Sequence, residues 1–241
     1  MGLHRVYHAD TITSMVTAEA VLEVDVVAFA IQQEVLQVLL VRRAAPPFAH
    51  DWALPGVRLG PDERLAAAAG RALRERTGLE GAPAHLEQLY TFDGPDRDPR
   101  GRTVSVAYLA LLPLGAPVDD VRPGRAVHEV AWWPVDALPP LGFDHAAIVQ
   151  TARDRVAAKV EYAPLAFTVL PDEFTMRDLR AVHEVLTGRA YVHETNFWRQ
   201  MTSRWHLQET GRFTRGRGRP AALYRRPDRQ TSLGSTTGLP A

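Results

Sequence analysis

Apolar positions in the first half of the chain follow a short period. Residues 21–31, VLEVDVVAFAI, and 35–42, VLQVLLVR, are β-branched runs separated by a short polar turn, and they predict an antiparallel pair entering a sheet. The next stretch, RAAPPFAHDWALPGV, has no period and reads as irregular. Over 61–77 alanine and arginine dominate, which favours helix, with Pro61 suited to the first turn and Gly78 to the stop. LEQLYTF, TVSVAYLALLP and HEVAWWPV predict three more strands, and the charged, turn-forming loop DGPDRDPRGR lies between the first two. These segments form one mixed α/β unit at 21–155, preceded by a flexible tail at 1–20.

The period then lengthens. Residues 143–160 predict a helix leaving the first unit, and EYAPLAFTVLPDEF reads as a junction. Thr175 precedes MRDLRAVHEVL with Asp178 three positions on, a capping-box signature, and Leu179, Val182, Val185 and Leu186 recur at helical spacing. A second helix is expected over Glu194–Trp205, followed by two short strands around the tip of LQETGRFTRGRGRPAALYR. Helix, helix and β-ribbon is the layout of a winged helix, assigned to 156–227, with 228–241 left as a disordered tail. There is no internal repeat.

Composition sharpens this picture in three places. With 241 residues, 46% of them hydrophobic, the chain can bury a sizeable core. The absence of cysteine excludes a disulfide framework, thiol catalysis and Cys-ligated metals. The first twenty residues lack the apolar core of a secretory signal, and no apolar run approaches the ~20 residues of a spanning helix, so the expected address is cytoplasmic with no membrane partner. The net charge is zero but unevenly spread. Between 190 and 230 nine arginines face only Glu194, Glu209 and Asp228, the asymmetry of a basic binding module.

The helical stretch carries candidate chemistry. LPGVRLGPDERLAAAAGRALRERTGL resembles the signature of the Nudix hydrolases, in which G, five residues, E and seven residues lead into R-E-U-x-E-E-x-G-U, U being aliphatic. Arg71, Leu73, Glu75, Gly78 and Leu79 fall on signature positions, Glu63 falls on the first glutamate, and WALPG precedes the motif as in many members. An Ala- and Arg-rich helix ending in Gly is common by itself; the joint occurrence with Glu63, WALPG and flanking strands makes the resemblance specific. Three positions depart: Val57 replaces the glycine, Ala72 the glutamate after the arginine, and Arg76 the last glutamate of the pair. Positions 72, 75 and 76 share a helix face. The resemblance implies three carboxylates there, suited to Mg²⁺ or Mn²⁺, where this chain has Ala, Glu and Arg. No catalytic residue and no Mg²⁺ requirement are therefore expected, because the metal-activated water and diphosphate clamp are lost.

A concave site can outlive its metal. Arg42 and Arg43 end a strand before the loop that carries Phe48 and Trp52, and arginine forks suit phosphate while aromatic rings suit a base. Arg97 and Arg100, with Arg102 and three aspartates in the same loop, offer grips for a pyrophosphate and for ribose hydroxyls. Arg76 stands in as counter-charge for the absent metal. The ordinary reading of each is a solvated arginine or a packed aromatic ring.

In the second unit, the wing tip brings Arg215, Arg217 and Arg219 to phosphates or a minor groove, whereas Asn196, Arg199, Gln200 and Ser203 or Arg204 face a major groove and Phe197 and Trp205 anchor the core. The bland alternative is a solvated basic face. Together, YTFDGPDRDPRGRTVSVAYLAL, LPPLGFDH, EYAPLAFTVLPDEFT and GRGRPAALYR resemble the Nudix-related transcriptional regulators of NAD metabolism, over roughly 21–226. That resemblance implies a Nudix-type mixed-sheet α/β/α sandwich followed by a winged helix-turn-helix, a homodimer on a palindromic double-stranded operator, and release of DNA by ADP-ribose or a related nucleotide. The rivals are a residual metal-dependent hydrolase using Glu63 and Glu75, and a regulator that senses another sugar or nucleotide.

Overall fold

A computed structural model describes residues 19–214 and 220–225. Strands β1 (Val21–Gln32) and β2 (Val35–Arg43) form the expected hairpin, with Phe29 opposite Val38 and Gln32 opposite Val35. Gln33 and Glu34 turn the chain at positive φ, 48° and 62°, the mirror-image turn that suits strand twist. The stretch read as irregular contains two short strands, β3 (Trp52–Ala53) and β4 (Gly56–Arg58), which pair with β2 and β1. Two or three residues carry too little period to announce a strand.

Helix α1 (Leu65–Thr77) starts four residues later than Pro61. Pro61 and Asp62 form a turn, and the Glu63 carboxylate accepts the Gly60 N–H at 3.1 Å, closing the approach before the helix begins. Gly78 ends it at φ 64°, its N–H donating to the Arg74 carbonyl at 3.0 Å, the left-handed stop its sequence predicts. Strands β5 (His85–Phe92), β6 (Thr103–Leu111) and β7 (Val127–Pro134) follow, and the sheet runs β3-β2-β1-β6-β5, with β7 on β2 and β4 on β1. β1 and β6 are parallel in an otherwise antiparallel set.

β1 is buried on both faces, which explains its continuous apolar run. Val24, Val26 and Ala28 point to α1, where Ala68, Ala69 and Ala72 let the helix approach closely. Val27 and Phe29 point to the opposite layer, helix α2 (His145–Tyr162), through Ile148, Val149 and Ala152. The result is an α/β/α sandwich.

α2 is continuous through the boundary expected at 155–156. Beyond it, the junction holds a helix α3 (Leu165–Val169) and a two-residue strand β8 (Glu173–Phe174). Helix α4 (Met176–Thr187) has the capping box: Thr175 accepts the Asp178 N–H, and Asp178 accepts the Thr175 N–H at 2.9 Å. Helix α5 (Glu194–Trp205) and strands β9 (Gln208–Phe213) and β10 (Ala222–Arg225) complete a winged helix, whose ribbon is three-stranded because Phe174 of β8 pairs with Tyr224. Phe174, Leu179, Phe197 and Tyr224 belong to the same apolar cluster as Ile148 and Val27, so one core runs from the sheet into the winged helix.

Candidate functional site

A cavity of about 370 Å³ opens between α1, β1, the loop after β5 and the start of α2. Seven arginines and three carboxylates line it. The excess of guanidinium groups makes it a site for an anion.

The arginines fall into two kinds. Arg71 donates to Glu63 through Nε at 2.8 Å and Nη2 at 2.7 Å, and reaches the Arg58 carbonyl at 2.8 Å. The Arg71 contact, with the Gly60 N–H, holds the Glu63 carboxyl down at about 2. Arg97 grips Asp144 through two bonds, and Arg100 pairs with Asp98 and with Glu23 at 3.3 Å. These charges are compensated. Arg76 is held differently: Nε donates to the Gly56 carbonyl at 2.9 Å and Nη1 to the Arg125 carbonyl at 2.6 Å. Arg43 likewise donates to the Pro47 carbonyl at 2.8 Å, and its guanidinium sits 4.8 Å over the Phe143 ring. Carbonyls fix a guanidinium without cancelling its charge. Burial pushes the Arg76 and Arg43 pKa down.

The floor is a buried polar cluster absent from the sequence reading. Asp25 accepts the Ser105 hydroxyl at 2.6 Å, with Arg97 Nη2 at 3.6 Å and His145 Nε2 at 3.8 Å. Burial pushes the His145 pKa down, so the ring is neutral near pH 7, and its Nδ1 accepts the Leu54 N–H at 2.8 Å. Desolvation and Asp25 push Glu23 up. Gly56 is forced by this floor: a Cβ there would stand 2.1 Å from Asp25 Oδ1. Asp25 had one signal, an acid within the apolar run of β1, which it shares with Glu23; His145 and Ser105 had no chemical signal of their own.

The remaining expected ligand residues distribute unevenly. Arg43, Arg76, Arg97 and Arg100 line the cavity. Phe48 sits on Phe143, whose ring is part of the wall, at 4.7 Å. Arg42 turns toward the His50 carbonyl and Glu129, outside the lining, because alternation along β2 sends it to the other side from Arg43. Trp52 packs edge-on to Trp133 at 5.5 Å, also outside the lining. Ala72 is sealed against the sheet, whereas Glu75 is exposed and tied to Arg71 at 3.4 Å. Among the described residues no group of three His, Cys, Asp or Glu side chains is placed to hold a metal ion. Arg71 bridges Glu63 and Glu75, and Arg76 stands beside Glu75 in the cavity wall.

The second candidate surface is α5. Phe197 and Met201 bury its inner face, and Phe197 packs on Tyr191 and His183 at 4.7 and 5.6 Å. Asn196, Arg199, Gln200, Ser203 and Arg204 share the exposed face, with Arg199 donating to Asn196 at 3.3 Å. Trp205 is partly buried against Phe167, and Trp198 stays exposed. Arg215, Arg217 and Arg219 lie outside the described residues.

Comparison with known proteins matches the same two units. The NUDIX domain model covers residues 21–152, and the model described as the NrtR DNA-binding winged helix domain covers 166–226. The chain belongs to the NrtR family. It is 34% identical to the ADPR responsive transcriptional repressor NtrR of Acinetobacter baylyi, over 84% of this chain and 80% of that protein. Shewanella oneidensis NrtR complexed with a 27mer DNA superposes with a TM-score of 0.71 at 35% identity, covering 85% of this chain and 93% of that one. The NUDIX domain of the same Shewanella protein complexed with ADP ribose gives 0.52 at 37% identity, covering 57% and 88%. No helix among the described residues is long and apolar enough to cross a membrane.

Proposed function

We propose that this chain is a transcriptional regulator, a repressor of genes of NAD metabolism, in which the winged helix binds a palindromic operator as a homodimer and the Nudix cavity senses ADP-ribose or a closely related nucleotide. Occupancy of the cavity releases DNA. The observation that carries the reading is the combination, in one chain, of Arg43 and Arg76 held by carbonyls in an anion cavity and a polar, basic, exposed face on α5. The Shewanella relatives, one with DNA and one with ADP ribose, support both halves.

In this reading Arg43 and Arg76 hold the diphosphate, and Glu23 and Asp25 meet ribose hydroxyls, so the cavity favours a nucleotide sugar over bare pyrophosphate. Hydrolysis of the diphosphate is absent or very weak. Glu63 is occupied by Arg71 and the Gly60 N–H, and the guanidinium of Arg76 stands where a cation would polarise the diphosphate. No metal is required for binding.

The test is anisotropy of a labelled duplex from upstream of the protein's own coding region, against a random duplex, at near-physiological salt. Selective binding that ADP-ribose weakens supports the reading. Selective binding indifferent to saturating ADP-ribose rejects this effector, because a ligand shifts an equilibrium only through its differential affinity for the two states.

A further inference from the structure

Arg97 lines the cavity, yet its side chain is only 3% exposed. Nε and Nη2 donate to the two oxygens of Asp144 at 2.9 and 2.7 Å. Asp144 is the N-cap residue of α2, and in the orientation that serves Arg97 its side chain makes no cap bond, while its main-chain carbonyl takes the Ala147 and Ile148 N–H groups. The carboxylate therefore has two competing employments, clasping the cavity loop or capping its own helix. A diphosphate entering the cavity is a direct competitor for the Arg97 fork, since phosphate and carboxylate are gripped with the same bidentate geometry.

α2 is also the element that both domains share. Ile148, Val149 and Ala152 pack in the core of the sandwich, and Val156 and Val160 lie in the same cluster as Leu179, Val182 and Leu186 of α4. Alongside that seam a crevice of about 860 Å³ lies between α2, α4 and the β1–β2 hairpin, bordered by Glu34, Asp136, Arg153, Arg177 and Glu184. Packed interfaces resist small displacements, and an open crevice does not. A shift of α2 thus has room to change the tilt of α4, and with it α5.

We propose that the Arg97–Asp144 clasp is the positioning contact that transmits cavity occupancy to the winged helix: an anionic ligand draws Arg97 from Asp144, Asp144 returns to cap α2, and α2 carries α4 and α5 out of DNA register. This rests on the reading that the cavity takes a nucleoside diphosphate sugar. Arg97 is here a switch contact rather than a fixed wall, and the two uses of Asp144 supply the discrete alternatives that coupling between sites needs.

The test uses the full-length protein and two readouts: operator affinity by anisotropy with and without saturating ADP-ribose, and ADP-ribose affinity by calorimetry. Asp144→Asn breaks the clasp without ligand, so it should bind operator about tenfold more weakly than wild type, lose most of its response to ADP-ribose, and bind ADP-ribose more tightly. Opposite signs for the two ligands distinguish a switch from simple damage, which weakens both. Asp144→Glu should restore part of the wild-type response, and Asp144→Ser, which caps a helix but carries no charge, should show the same weaker operator binding and tighter ADP-ribose binding as Asp144→Asn. Arg125→Ala, at the cavity wall, should weaken ADP-ribose binding yet keep the wild-type response at saturation. A wild-type response in folded Asp144→Asn and Asp144→Ser overturns the clasp while leaving the functional reading intact. Absence of any ADP-ribose response in wild type overturns both.

Discussion

The cavity and the outer face of α5 both present arginine to an anion, in opposite physical states. In the cavity five of the seven guanidinium groups are held before any ligand arrives, by carboxylates at Arg71, Arg97 and Arg100 and by carbonyls at Arg43 and Arg76. On α5, Arg199 donates to its neighbour Asn196, its one side-chain hydrogen bond among the described residues, and Arg204 lies over the Trp205 ring at 5.4 Å in solvent. A small ligand makes few contacts, so the ordering of the site has to be completed by folding. A duplex offers a long row of phosphates with released counterions, and mobile side chains at a rigid helix suffice.

The sharpest way to separate the two regions is to remove the foundation of one. Phe197 is 1% exposed and anchors α5, so Phe197→Ala should cost about 3–5 kcal/mol and abolish operator binding, while ADP-ribose binding survives at temperatures where the sandwich stays folded. Thermal denaturation with and without ADP-ribose reads this. A similar cost in the cavity comes from charge rather than volume: Arg97→Ala leaves Asp25 and Asp144 without their buried partner and should destabilise by about 3 kcal/mol, seen as a lower denaturant midpoint. The contrast predicts that no arginine on α5 does this. Arg199→Ala should leave the midpoint unchanged and instead lose about 1–3 kcal/mol of preference for operator over random duplex, if Arg199 reads a base edge. Equal loss on both duplexes would demote it to a phosphate contact.

The smallest expected effect is on pH. Burial pushes His145 in the cavity floor and His183 beneath α5 below the ordinary imidazole value of 6.5. The unfolded chain then takes up protons that the folded one refuses, so stability is full above pH 6.5 and declines as pH falls below it. His145→Asn should flatten part of that decline, measured by chemical denaturation across the range.

Legibility followed the scale of each signal. The long strands, α2, α4 and α5 were readable because a pattern persists over eight or more residues, α1 through its Ala- and Arg-rich composition, and the Thr175 capping box and the Gly78 stop are local chemistry. β3, β4 and β8 were not, because a strand of two or three residues is defined by its partner. The same limit applies to the site. Arg43, Arg76, Arg97 and Arg100 stood out as arginines in loops and strand ends, but Arg42 and Arg43 are equivalent in sequence and only sheet register sends one inward. The floor of Asp25, Ser105 and His145 joins β1, β6 and α2, and nothing local in Ser105 or His145 announces that meeting.

The central claim is that arginines hold the diphosphate in place of a metal, and ³¹P NMR of ADP-ribose with stoichiometric protein tests it directly, first with a chelator and then with Mg²⁺. The account predicts that the diphosphate resonances shift on binding in chelator, stay unchanged in number after Mg²⁺ is added, and revert toward free ligand in Arg76→Ala. Resonances that respond only when Mg²⁺ is present, and are then replaced by the phosphomonoesters AMP and ribose 5-phosphate, would contradict it.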